Sequence, residues 1–172
     1  MAVIPLLHPA VLDPQELLKQ CQVNRGRRSG PGGQHRHKVE TAIRLVHEPT
    51  GLTASATERR NQRQNLWAAT FRLRIKLALT VRSKRNPVTW PSGLWRSRCC
   101  EGRISCSSRH PDFPAMLAEA LDGIAACQFD TKGAAAGLGV SPSQLIKFLE
   151  KEPLAMVEVN KQRRSRGLRL LK

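Results

Sequence analysis

The stretch from Arg25 to Lys38, RGRRSGPGGQHRHK, sets the tightest limit on what this chain can build. It carries five Lys or Arg residues and no acid, with glycine at positions 26, 30, 32 and 33 and proline at 31. Glycine leaves the backbone unrestrained and proline removes a donor, so the segment cannot hold regular structure and must be a loop. Its like charges repel one another unless an anion lies against them, which points to a polyanionic partner.

The whole chain agrees. Its 172 residues carry a formal charge of +16 and a sequence pI near 11.0, the balance of a nucleic-acid binder. The charge is clustered. Nine bases and one acid lie between residues 57 and 85, and six bases fall in the last twelve residues, whereas residues 111 to 150 hold two lysines against five acids. The length suits one ordinary core or two small units. The first twenty residues have no cationic start, and Pro5, His8, Pro9 and Asp13 interrupt their apolar residues, so neither a secretory signal nor a membrane span is expected. The expected location is the cytoplasm, with the five cysteines reduced.

Along the chain, Asp13-Pro14-Gln15-Glu16 reads as a helix start, with Asp13 as N-cap and Glu16 reaching back, for a short helix to about Cys21. Val39, Ile43 and Leu45 alternate with Glu40 and Arg44 as a strand from 39 to 46, Glu48-Pro49-Thr50-Gly51 is a turn, and a second strand spans Leu52 to Ala56. Ser55 and Glu58 are expected as a capping box for a long helix whose apolar face is Leu66, Thr70, Leu73, Leu77 and Val81 and whose other face carries arginines. Residues 83 to 112 read as a connector with a short strand near Arg103 to Ser107. Helices are expected at Phe113–Cys127, Asp130–Leu138 and from Ser141 onward, the last two separated by Gly139 in a helix-turn-helix layout.

The chemistry of the loop turns on Gln34. An amide does not titrate, so it is neither acid nor base, but it donates and accepts hydrogen bonds and can position a water. Beside the Gly32-Gly33 pair, its backbone N–H can approach a substrate and face the oxygen on which negative charge develops when an ester is attacked.

Ser29-Gly30-Pro31-Gly32-Gly33-Gln34-His35, followed by Lys38, Glu40, Ala42, Arg44-Leu45 and Pro49-Thr50-Gly51, resembles the Gly-Gly-Gln (GGQ) domain of class I peptide chain release factors. Residues 60 to 79 resemble the helix that follows, with an Arg-x-Gln element at Arg60 to Gln62. The likeness covers residues 12 to 85. It implies hydrolysis of the ester between nascent peptide and transfer RNA, with Gly32, Gly33 and Gln34 as the catalytic residues, the Gln34 backbone amide on the oxyanion and its side chain on water. Ribosomal RNA would supply the other groups, which fits a loop without a carboxylate or nucleophile. Family glutamines are often methylated on the side-chain nitrogen. Arg36 and His37 stand where relatives more often have Val-Asn, and Asn61 replaces the usual serine of the Arg-Ser-Gln element.

A stop-codon-reading factor carries a decoding domain of well over a hundred residues before this one, and 31 residues precede Gly32. The chain is therefore expected to resemble the short, codon-independent relatives that rescue stalled ribosomes, some of which place a basic tail in the messenger channel. Pro87-Val88-Thr89 copies a codon-reading tripeptide but follows the loop, and is taken as coincidence. Residues 131 to 149 resemble the helix-turn-helix of Fis-type proteins, giving a rival reading as a DNA-binding regulator; a non-catalytic ribosome- or RNA-binding module is the third. Cys99, Cys100, Cys106 and His110 lack paired Cys-x-x-Cys spacing, so no metal and no cofactor is expected. Trp67 and Phe71 are expected in the core, while Trp90 and Trp95, flanked by proline and arginine, are open to RNA contact.

The expected architecture is α+β: a small mixed or antiparallel sheet with a long basic helix and a protruding GGQ loop, followed by a small helical domain of helix-turn-helix type. The boundaries are 1–85 for the GGQ domain, 86–112 for a connector, 113–152 for the helical domain and 153–172 for a basic tail. RNA is to be held by Arg25, Arg27, Arg28, His35, Arg36, Lys38, Arg59, Arg60, Arg63, Lys161, Arg163, Arg164, Arg166 and Arg169. The expected partners are the ribosome and peptidyl-tRNA, engaged by a monomer without a membrane.

Overall fold

The computed structural model describes residues 7–27, 40–84 and 90–172. The fold is α+β with two compact units, one formed by Leu12–Leu77 and the other by Met1–Val11 together with Ala78–Lys172.

In the first unit, helix α1 (Pro14–Lys19) starts as the sequence expects, with the Asp13 side chain accepting from Gln15 N and proline in the first turn. Glu16 does not reach back; it pairs with Lys19 Nζ at 2.7 Å. Strands β1 (Cys21–Gly26), β2 (Ala42–His47) and β3 (Thr53–Ala56) form an antiparallel sheet in that order. Ile43 and Leu45 of β2 and Ala54 and Ala56 of β3 are buried, while Arg44 and Ser55 point outward, the two-residue period of a sheet covered on one face. Strand β1 corrects the expectation that the chain leaves regular structure after Cys21. It is an edge strand, exposed along Gln22 to Arg25, so no apolar alternation marks it.

Helix α2 (Gln62–Thr80) covers the sheet with Ala69, Leu73 and Leu77, all fully buried. Its start differs from expectation. Ser55 lies within β3, Glu58 pairs with Arg72 at 2.5 Å, and Asn61 Oδ1 accepts from Arg63 N at 2.7 Å and Gln64 N at 3.4 Å. Asparagine at the position where relatives carry serine therefore retains a capping role.

The second unit is built around helix α4 (Phe113–Ala126), against which the 3-10 turn Pro9–Val11 packs. The segment expected as a connector holds helix α3 (Gly93–Arg98) and a two-stranded hairpin of β4 (Cys99–Cys100) and β5 (Arg103–Ile104), turned by Glu101 and Gly102 at positive φ. It also supplies a core residue. Trp95 is fully buried, donates from Nε1 to Leu138 O at 2.9 Å and meets Phe148 edge-on at 5.8 Å. Helices α5 (Thr131–Gly137) and α6 (Pro142–Leu149) flank the turn at Gly139, and Asp130 and Ser141 cap them.

Residues 153–172, expected as a tail, begin with helix α7 (Pro153–Ser165), whose Ala155 and Val159 are buried. The chain beyond it folds back, with Asn160 and Leu171 exchanging hydrogen bonds of 3.1 and 2.8 Å. The aromatic assignments reverse: Trp95 is core and Trp90 is partly buried, whereas Trp67 is 57 % exposed. The expected apolar face of α2 is covered, with Thr70, Leu73 and Leu77 buried and Leu66 and Val81 half-buried, and Trp67 lies off that face. Among the described residues, no helix is long and apolar enough to cross a membrane, and no three His, Cys, Asp or Glu side chains gather as metal ligands.

Candidate functional site

The cationic segment lies between β1 and β2 in the chain, and the last pair before it is Gly26 opposite Ala42. Residues 28–39, and with them Arg28, Gly32, Gly33, Gln34, His35, Arg36 and Lys38, lie outside the described residues, as does Pro87-Val88-Thr89. What the structure gives is the base from which the loop departs.

Both departing strands are held there. Arg27 and Glu40 face each other across the base at 3.9 Å with largely exposed side chains, so this pair contributes little. The firmer hold comes from the start of α2. Gln62 Nε2 donates to Glu40 O at 2.6 Å, and Asn65 Nδ2 donates to Thr41 O at 2.6 Å and to Arg59 O at 3.0 Å. Asn65 Oδ1 in turn accepts from Arg59 N at 2.9 Å. Asn65 is fully buried, so its amide is committed to backbone: the end of the loop on one side and the residues leading into α2 on the other.

Sequence reasoning did not single out Asn65 or assign Gln62 this role. A signal was present. Asn65, Ala69, Leu73 and Leu77 recur every four residues and all are buried, so a polar residue sits in the core register of the helix, where it needs internal partners.

Five of the expected RNA-binding arginines frame this base. Arg25 is exposed on β1 opposite Ile43, Arg27 follows it, Arg59 and Arg60 are exposed just before α2, and Arg63 is exposed on its first turn. Other cations of the unit are occupied. Arg72 bonds Glu58 and Ser55 O, and Lys76 Nζ donates to Thr53 O at 2.7 Å. The Arg72 hydrogen bond, chiefly, pulls the Glu58 carboxyl down to about 2, leaving an ionised, paired group unsuited to act as a base. His47 is no better placed. Its ring is buried between Thr50 Oγ1 and Gln20 Oε1, and burial lowers its pKa.

In the second unit, the C-terminal cations divide. Arg163 donates to Arg169 O and Phe129 O, and Arg166 stacks over the Phe129 ring at 4.4 Å. Lys161, Arg164 and Arg169 present exposed side chains. Cys106 bonds Ser107 O, and His110 Nδ1 accepts from Asp112 N, so these two of the imagined zinc ligands make local contacts.

Residues 16–90 match the RF-1 domain family. The chain is 36% identical over 83 residues to chloroplastic peptide chain release factor PrfB1 of Arabidopsis thaliana, covering 48% of this chain and 18% of that protein. It is 39% identical over 77 residues to mitochondrial peptide chain release factor 1 of Bos taurus, covering 45% and 17%. With peptide chain release factor 1 of Verminephrobacter eiseniae it shares 39% identity over 88 residues, 49% of this chain and 23% of the relative. The chain thus spans about a fifth of the length of these relatives.

Proposed function

We propose, on the premise that residues 16–90 are an RF-1 domain of the class I peptide chain release factor type, that this chain releases nascent peptide by hydrolysing the peptidyl-tRNA ester on the ribosome. The observation that carries the reading is the anchored loop base. Gln62 and Asn65 fix Glu40 and Thr41, so the segment bearing Gly32, Gly33 and Gln34 leaves a rigid stem formed by two strands and a helix.

In this mechanism water attacks the ester carbonyl carbon. The Gln34 side-chain amide orients that water, and the Gln34 backbone N–H donates to the carbonyl oxygen as it becomes an oxyanion. Collapse breaks the bond to the transfer-RNA ribose oxygen, which takes up a proton, and the peptide leaves as a carboxylate. Gly32 and Gly33 let the backbone approach, since neither has a side chain to exclude the substrate. Arg25, Arg27, Arg28, His35, Arg36 and Lys38, with Arg59, Arg60 and Arg63, hold RNA phosphates around the loop.

The finer part of the proposal is that release needs no codon and that the protein acts as a monomer on stalled ribosomes. Its support is the cationic end of the second unit, where Lys161, Arg164 and Arg169 offer charge for phosphate. The test is release of labelled peptide from ribosomes holding a truncated message. Gln34→Ala keeps the backbone N–H but removes the amide that orients water, and should cut the release rate by roughly 10²-fold while ribosome binding persists. Equal rates for wild type and Gln34→Ala overturn the mechanism, and release only with a stop codon in place overturns codon independence.

A further inference from the structure

Helix α2 presents a second feature on its outward side, away from the residues that grip the loop base. Arg63, Trp67 and Phe71 recur at four-residue steps and so share one face of the helix. Trp67 is 57 % exposed, and Phe71 stacks beside it with ring centroids 6.3 Å apart and planes 24° from parallel. The two rings make a flat apolar surface on a helix otherwise rich in cations.

Its surroundings identify what would cover it. No acidic residue occurs from Arg59 to Lys84. Among the described residues the guanidinium groups of Arg60 and Arg63 have no side-chain or backbone partner, whereas Arg72 and Lys76 on the same helix are both tied down. A second copy of this face would bring arginines against arginines, and a protein partner would need an acidic rim around an apolar centre. A single strand of nucleic acid supplies both chemistries at once, a base with a flat apolar face and a phosphate within reach on either side.

We propose that Trp67 and Phe71 form a stacking platform for an unpaired RNA base, with Arg63 and Arg60 binding the adjoining phosphates. The proposal rests on RNA being the partner of the RF-1 domain and adds a contact outside the loop. It accounts for the aromatic pair by the one interaction that is indifferent to base identity, since every base has a π-face.

The experiment uses the full chain and two ribosome-free probes: a short oligouridylate and a strand of equal length lacking its bases. The wild type should bind the base-bearing strand about tenfold more tightly than the abasic one, with quenching of tryptophan emission. Trp67→Ala should lower affinity for the base-bearing strand about tenfold and leave the abasic strand unchanged, while Trp67→Phe keeps most of the binding. Arg63→Ala should weaken both strands alike and flatten the salt dependence. Because Trp67 is exposed, its replacement leaves folding intact, which a thermal melt checks. Unchanged affinity of Trp67→Ala for the base-bearing strand overturns the platform. Failure of the wild type to release peptide on ribosomes would sink the catalytic proposal alone, because oligonucleotide binding involves no ribosome.

Discussion

Asn65 is where stability and the proposed function of the first unit should separate most clearly. Its amide makes three hydrogen bonds, to Thr41 O, Arg59 O and Arg59 N, and no water reaches it. At about 1 kcal/mol net for each neutral bond, Asn65→Ala should cost about 3 kcal/mol, less whatever water recovers at the partly exposed Thr41 and Arg59 backbone. Asn65→Asp is the sharper test because its shape is the same. It keeps the acceptor for Arg59 N but turns a carboxylate oxygen toward two carbonyl oxygens that Nδ2 now satisfies at 2.6 and 3.0 Å. It should therefore cost at least as much as alanine. Native-state hydrogen exchange at Ile43 and Leu45 amides in β2 reads the stability of this unit apart from the other. Peptide release should fall further than ribosome binding, since a slack base misplaces the loop without removing its cations. An Asn65→Asp protein within about 0.5 kcal/mol of wild type would refute the reasoning, because mutational effects of that size are ordinary for surface sites.

Two buried groups of the second unit should titrate in opposition. Burial, against the hydrogen bond to Val81 O and aided by nearby Arg82, lowers His8 from 6.5 to about 4, so the stability it contributes is present above about 6.5 and lost as pH falls through about 4. Burial, opposed by the Ser83 hydrogen bonds and Arg82, raises Asp122 from 3.8 to about 6; its contribution is complete below about 4 and lost as pH rises through 6. Each shift corresponds to about 3 kcal/mol, so urea melts between pH 4 and 6.5 should show a much larger loss of stability on acidification in Asp122→Asn than in the wild type, where Asp122 offsets His8; identical profiles would remove the opposition. Gly137→Ala should cost about 1–3 kcal/mol by thermal melt, because the added methyl would overlap the Trp90 ring. Gly123→Ala meets the same ring at 2.8 Å, whereas at Gly26 an added methyl has open space among the described residues. Equal melting temperatures for Gly137→Ala and wild type would show that Trp90 does not fill that gap.

Several elements were legible from order alone. The caps at Asp13 and Ser141, the alternation at Ile43 and Leu45 and the turn at Gly139 depend on neighbours within a few residues, and short-range patterns record them directly. The Gly-Gly-Gln expectation rests on residue type and spacing, and its residues lie outside the described ones. Strand β1 was not legible: an edge strand exposed along four consecutive residues needs only a hydrogen-bonding partner, and that partner, β2, lies beyond the loop. Nor was the fate of the aromatics. Trp95 is buried because Leu138 and Phe148, more than forty residues away in sequence, close over it, whereas Trp67 is 57 % exposed although it shares α2 with the buried Ala69, Leu73 and Leu77. The sequence by itself determined the charge and the helix caps at Asp13 and Ser141, all set by groups adjacent in the chain. Only the tertiary structure decided that Trp95 is buried and Trp67 is not, and that Asn65 joins Thr41 to Arg59, because burial and long-range hydrogen bonding exist only once distant segments meet.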